Sequence, residues 1–248
     1  MTATGPAHHC ALGIMVKAPT AGSVKTRLTP PLSAEEASVL STCFLRDTAS
    51  NVSDQPADGV IVFTPPEERN SFAGVVPQEF QLLAQRGDSL GDRLLNATTD
   101  LLAAGYDSIC LINSDSPNLP PSILRSAIEA LAPEGDRLVL GPAEDGGYYL
   151  IGLKHPHQIL FDRIAWSTSE VLAHTVERAS QISLPLVMLP QWYDVDDAVT
   201  LERLCRELHD ADGFGSNGIH PYAASFTREY LGNWLKRDDG RRLSQSSE

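Results

Sequence analysis

The sequence predicts an α/β protein built on a mostly parallel sheet with helices on both faces. Short apolar runs recur along the chain and alternate with longer stretches whose apolar residues repeat at helical spacing. Gly, Pro, Ser and Asp cluster between them. Alternation of this kind is the signature of βαβ units, in which strands buried on both faces read as continuous apolar runs.

The elements follow in order. Residues 10–17, CALGIMVK, form the first strand, and the Pro- and Gly-bearing loop APTAGSVKTRLTPPL leaves it. Ser33 and Glu36 have capping-box spacing, and Ala37, Leu40 and Phe44 carry a helix to about residue 49. Strands are expected at 59–63 and 78–85, then a helix over 88–104 with Leu90, Leu94, Leu95, Leu101 and Leu102 on its apolar side. A strand at 107–113, a helix at 121–131 and strands at 137–142 and 146–153 come next. The chain closes with a helix at 167–182, a strand at 184–189, a helix at 196–208 and a terminal helix at 221–237. In the last, Tyr222, Phe226, Tyr230 and Trp234 recur every four residues, the pattern of a face packed on its own domain. The expected organisation is a flexible segment 1–9, a single domain 10–237 and a polar tail 238–248.

A net charge of −13 argues against a protein that coats nucleic acid, which needs a basic face. No apolar run approaches membrane-spanning length, and MTATGPAHHC lacks the basic and apolar regions of a signal peptide, so the expected location is cytoplasmic. Cysteines 10, 43, 110 and 205 are widely spaced and read as buried, reduced thiols. The histidines show no metal spacing: His8 and His9 fall in the N-terminal segment, and His155 and His157 flank Pro156 in a turn. The charge is uneven. Residues 1–34 hold Lys17, Lys25 and Arg27 and no acid, whereas residues 35–248 carry −16. A basic island in an acidic chain suggests a local anionic ligand.

One motif is a decoy. GFGSNG at 213–218 matches the dinucleotide fingerprint formally, but it follows a helix instead of a strand and reads as a surface loop. Four segments carry chemistry. In KAPTAGSVKTRL, Gly22 permits close backbone approach, Lys25 supplies a point charge and Arg27 a planar fork. Together they make a phosphate loop at a strand end, or else a solvated basic loop. In SICLINSDSPNLP an apolar strand runs into Asp115, which either ligates Mg2+ or fixes the turn before Pro117. In GPAEDGGYYLIGL, Glu144 and Asp145 orient or deprotonate a hydroxyl, or the segment is a tight turn. In QWYDVDDAVTLERL, Asp194, Asp196 and Asp197 precede a helix, either capping it or reaching back to a metal.

Taken together, KAPxxGxVKTRL, SDSPNLP, GPAEDGGYYLIGL, AWST and DVDD resemble a bacterial family of GT-A-like, DUF2064-type proteins classed as glycosyltransferases. These lie beside radical-SAM and arsenosugar genes, within the nucleotide-diphospho-sugar transferase superfamily. The resemblance runs from about Ala11 to Leu204. It implies a Rossmann-like GT-A three-layer α/β/α sandwich that binds an activated nucleotide with Mg2+ or Mn2+. Lys17, Ala18, Pro19, Gly22, Lys25, Thr26, Arg27 and Ser114 would hold the nucleotide and its phosphates. Asp115 and Asp196 would hold the metal, and Glu144, Asp145, Gly146, Gly147 and Trp166 the acceptor or sugar. Lys25, Arg27, Asp115 and Asp145 would form the catalytic set.

Two positions depart from the family pattern. Asn113 stands where Gly is usual, and Asp197-Ala198 replace a Thr-Pro pair, which leaves Asp194 and Asp196 both open as the second metal ligand. The resemblance implies glycosyl transfer from an NDP-sugar to a small acceptor. The alternative is nucleotidyl transfer from an NTP with release of pyrophosphate, because KTRL followed by a PxLSxEE helix is also similar to deazaflavin-cofactor guanylyltransferases. Nucleic acid and membrane partners are not expected, and a homodimer is compatible with the sequence.

Overall fold

A computed structural model describes residues 8–209 and 219–237. Its elements are β1 (Cys10–Lys17), α1 (Ala34–Ser53), β2 (Asp58–Thr64), β3 (Gln81–Ala84), α2 (Leu90–Ala103), β4 (Ser108–Asn113) and α3 (Pro121–Leu131). They continue with β5 (Leu138–Pro142), β6 (Tyr148–Leu153), α4 (Val171–Gln181), β7 (Leu186–Met188), α5 (Ala198–His209) and α6 (Ser225–Lys236). The GFGSNG segment, the polar tail and most of the N-terminal segment lie outside the described residues.

The strands form one sheet in the order β3-β2-β1-β4-β6-β5-β7. Pairing is parallel except at β6, which runs antiparallel to both β4 and β5. The turn reading of GPAEDGG is therefore the observed one: residues 143–147 close a hairpin between β5 and β6. A strand entered by a hairpin begins where its predecessor ends. The 143–147 turn thus stands at the same end of the sheet as the carboxyl ends of β1 and β4, where ligands of open α/β sheets bind.

Three apolar clusters hold the fold. On one face Leu45, Ala49 and Val52 of α1 and Ile123, Leu124 and Ala127 of α3 pack against Leu12, Ile14, Ile61 and Ile112. On the other, Leu94, Ala97 and Leu101 of α2 and Ala179 of α4 cover Val60, Val62, Leu111 and Ile151. The third cluster lies off the sheet. It joins Leu28 and Leu32 of the loop after β1, Phe44 of α1, Tyr193 and Val195 ahead of α5, and Leu231 and Trp234 of α6.

The helix starts are as chemistry dictates. Ser33 and Glu36 form the expected capping box, with Glu36 N donating to Ser33 Oγ and Ser33 N to Glu36 Oε2. Ser89 and Asp92 form a second box that sequence inspection did not single out. At α6 the cap comes from another helix: the buried carboxylate of Asp47 on α1 accepts from Phe226 N at 3.0 Å and Thr227 N at 2.8 Å. The helix begins at Ser225, so Tyr222 precedes it; of the expected aromatic stripe Trp234 is buried, whereas Phe226, its ring under the Arg46 guanidinium, and Tyr230 are half-buried. His8 and His9 are tied down, His8 to Ser108 and His9 to Asp58.

Asp47→Ala removes the acceptor for two helix-terminal N–H groups. It should lower stability by about 1–2 kcal/mol, read as a shift in the urea midpoint at unchanged slope.

Candidate active site

The loop after β1 is anchored at both ends. Ala18 is buried and its N–H donates to Thr64 O, while Leu28 is buried in the third cluster. Between them Gly22 takes φ +76°, with no atom near the place of a Cβ, so backbone freedom is what its position requires. Lys17 Nζ donates to Ser23 O and braces the loop.

Lys25 opens the short helical turn Thr26–Leu28 in the left-handed region, at φ 48°. Its side chain points inward and is only 6% exposed. The ammonium lies 2.6 Å from Asp115 Oδ1, 3.0 Å from Asp196 Oδ1 and 2.8 Å from Val195 O. The ammonium donates to Asp196 Oδ1 and Val195 O, and Asp115 adds an ion pair at shorter range. Burial alone would lower the proton affinity of Lys25, but the two carboxylates outweigh it and raise the pKa, so the group is a cation in place. Arg27 contrasts with it: 77% exposed, it reaches Asp196 Oδ2 with one guanidinium nitrogen at 3.4 Å.

The acids stand at strand and helix ends. Asp115 follows β4, and its N–H donates to Asn113 Oδ1. Of the two later acids left open by the sequence, Asp196 is the one that faces Asp115 across a shared cation. Asp194 sits one layer deeper, where a single oxygen, Oδ1, accepts from Asn113 Nδ2 and Ser116 Oγ, each at 2.7 Å. Burial pushes its carboxyl up to about 6 against the pull of those bonds. Asn113, the departure from the family pattern, thus supplies a hydrogen bond that Gly could not make. Asp197 is the cap of α5, accepting from Thr200 N at 2.9 Å, which leaves Asp196 free for the site.

Beside Lys25 is a pocket of about 290 Å³ lined by Lys17, Lys25, Thr26, Arg27, Ser114 and Asp115, with Ser41 contributed by α1. Ala18 and Pro19 shape the loop without lining this pocket. Arg27 also borders a second pocket of about 430 Å³, whose walls include Asp145, Gly147, Tyr148, Trp166 and Asp194. Here Trp166 lies against Gly91, where a Cβ would come within 2.9 Å of the indole. Tyr148 meets Trp166 edge-on. Asp145 Oδ1 accepts from Gly147 N, closing its own turn, and the other oxygen takes no part in that bond. Gly146, at φ +89°, would put a Cβ 2.2 Å from Ser169 O, so its close approach is to the 167–170 segment. Glu144 is held elsewhere, in a two-oxygen pair with Arg203 of α5 at 2.9 and 3.0 Å. Arg203 also bonds Glu207 and covers the Tyr193 ring.

The donor set suits a hard divalent cation. Asp115, Asp196 and the Val195 carbonyl are oxygen donors already converging on one positive charge, and Mg2+ takes one or two carboxylates plus phosphate oxygens and water. Among the described residues no group of three or more His, Cys, Asp and Glu gathers tightly enough to hold a metal unaided.

Comparison with known proteins bears on the family and the fold. Residues 48–168 match the family model of DUF2064, described as an uncharacterized protein conserved in bacteria. That is the family the motifs resemble. Among solved structures, a "putative nucleotide-diphospho-sugar transferase" from Desulfovibrio desulfuricans G20 superposes with a TM-score of 0.81 at 29% identity, over 96% of this chain and 98% of that one. A cytidylyltransferase from Leptospira borgpetersenii serovar Hardjo-bovis shares the fold, with a TM-score of 0.52 at 10% identity over 95% and 97% of the two chains. No curated protein matches the chain. Among the described residues no helix is long and apolar enough to cross a membrane.

Sequence inspection missed Ser41, Leu90 and Tyr148 as pocket walls, together with the Arg203 bridge. Leu90 corrects the expectation that it lies on the apolar side of α2: at the first position of the helix it is 47% exposed, at the rim of the larger pocket. Gly146→Ala combines an unfavourable φ with a backbone clash. It should cost about 1–3 kcal/mol, measurable by thermal or urea denaturation, whereas Gly22→Ala should cost about 1 kcal/mol from conformation alone.

Proposed function

We propose that the chain is a transferase acting on a nucleotide-activated donor, and specifically that it transfers a glycosyl group from an NDP-sugar to a small acceptor. The observation that carries the reading is the convergence of Lys25, Arg27, Asp115 and Asp196 on one pocket at the carboxyl end of β1 and β4, with Arg27 bordering the adjoining pocket. The similarity to the Desulfovibrio protein, whose name specifies nucleotide-diphospho-sugar transfer, supports it.

In this reading the diphosphate lies in the smaller pocket, where Lys17, Thr26 and Ser114 offer donors and Arg27 offers a fork to two oxygens. Asp115 and Asp196 hold Mg2+ or Mn2+, which when bound stabilises the charge of the departing diphosphate as a Lewis acid. The acceptor occupies the larger pocket against Trp166 and Tyr148. The acceptor oxygen bonds to the anomeric carbon as the carbon–oxygen bond to the diphosphate breaks. The electron pair leaves with the NDP, and the acceptor proton passes to the Asp145 carboxylate, whose Oδ1 is already aimed by Gly147 N. Arg27, which borders both pockets, would meet the bridging oxygen where charge develops. Glu144, paired with Arg203, positions the turn without touching either substrate.

A thermal-shift screen of NDP-sugars and NTPs with and without Mn2+ tests the reading, because a ligand of the native state raises its melting temperature by mass action. An NDP-sugar should stabilise the protein in a Mn2+-dependent manner, and turnover should release NDP. Pyrophosphate released from an NTP would assign nucleotidyl transfer instead. Asp115→Ala should abolish the Mn2+-dependent part of the shift. Asp145→Asn should lower turnover by about 10²–10⁴-fold with donor affinity retained.

A further inference from the structure

Lys25 presents a conflict of commitments. Its ammonium donates to Asp196 Oδ1 and Val195 O and lies 2.6 Å from Asp115 Oδ1, so in this arrangement it is engaged by the two acids and not by a phosphate. The same two carboxylates are the oxygen donors that suit a divalent cation, and the ammonium occupies the point on which they converge. Two cations cannot share that point: like charges a few ångströms apart in a partly desolvated site repel strongly. A phosphate-bound Lys25 and a metal bound between Asp115 and Asp196 each require the contacts described here to break.

The surroundings accommodate the exchange. The pocket into which the ammonium would turn is open and lined by Lys17, Thr26, Arg27 and Ser114, with no carboxylate besides Asp115 and Asp196. Lys25 itself sits at positive φ, and its backbone is held independently of the side chain, its carbonyl accepting from Leu28 N at 2.9 Å. Its neighbours are fixed, Val24 and Leu28 being buried, so movement of the side chain does not require the loop to unfold.

We propose that Lys25 is the internal counter-ion of the Asp115–Asp196 pair and the competitor that a divalent cation displaces, so that metal and phosphate enter together as Lys25 passes from carboxylate to phosphate oxygens. A divalent cation entering with the doubly negative diphosphate of an NDP-sugar leaves the net charge of the site unchanged. It predicts that the metal binds poorly alone and well with a diphosphate, because only the diphosphate gives the released ammonium a partner. The second half of the exchange rests on the proposed phosphate site, whereas the competition between lysine and metal does not.

The test separates the two. Mn2+ binding to the nucleotide-free protein is measured by electron paramagnetic resonance for wild type, Lys25→Met and Lys25→Gln. Either substitution should tighten Mn2+ binding by about tenfold or more, since a competing charge is gone, and adding Asp115→Asn should remove the gain. Unchanged or weaker Mn2+ binding in correctly folded variants would overturn the proposal. A second measurement needs no variant: the side-chain ammonium resonance of Lys25 is followed in 15N-labelled wild type. Low millimolar Mg2+ alone should leave it in place, and Mg2+ with inorganic pyrophosphate should shift it. A resonance unmoved once phosphorus NMR shows pyrophosphate bound would also overturn the exchange. If pyrophosphate fails to bind at all, the functional reading fails, and the Mn2+ comparison still decides whether lysine and metal compete.

Discussion

The site is organised around one buried charge. The Lys25 ammonium draws together three segments far apart in sequence: the loop after β1, the turn after β4 that carries Asp115, and the stretch before α5 that carries Asp196. A partly desolvated carboxylate pair without that cation would repel itself, and a buried ammonium without the carboxylates would shed its proton. Each makes the other tenable. The third apolar cluster does the mechanical part, because Leu28 and Val195 fix the backbone on either side and deliver the charged groups to one point.

Layers of support extend outward from this contact. Asn113 and Ser116 hold Asp194 beneath the pair, and Asp197 takes over the helix cap so that Asp196 is not consumed by it. Arg203 joins Glu144 on the hairpin to Glu207 and Tyr193 on the α5 side, so the turn bearing Asp145 and the segment bearing Asp196 share one brace. Such a network, with its charges paired on both sides, favours a single arrangement of the cleft.

Most elements, and the residues that gather in the candidate site, were legible from local pattern. Capping spacing marks α1, apolar runs mark β1, β4 and β5, and a basic loop facing a strand-end acid places Lys25 near Asp115. What was not legible depends on partners distant in the chain. Alternation of strands and helices does not report strand direction, so the antiparallel β6 emerges only through the turn chemistry of Asp145 and Gly146. Nothing local distinguishes Glu144, which finds Arg203 from another element, from Asp145, which stays in the pocket. Nor can spacing distinguish a lysine free in a loop from one engaged by two carboxylates and a backbone carbonyl. That Asp196 meets Lys25 while Asp194 is held by Asn113 and Ser116 turns on depth, which a run of three acids within four residues does not encode.

The hairpin between β5 and β6 has a consequence for how such a cleft can diversify. The loop after β1 is locked in the core at both ends and its charges are interdependent, so few changes there are independent of one another. The hairpin tip is tied at two points, Glu144 by Arg203 and Gly146 by the close approach of Ser169, so a change of length there must spare both. Each wall of the cleft can therefore be recut only in concert with a partner distant in the chain.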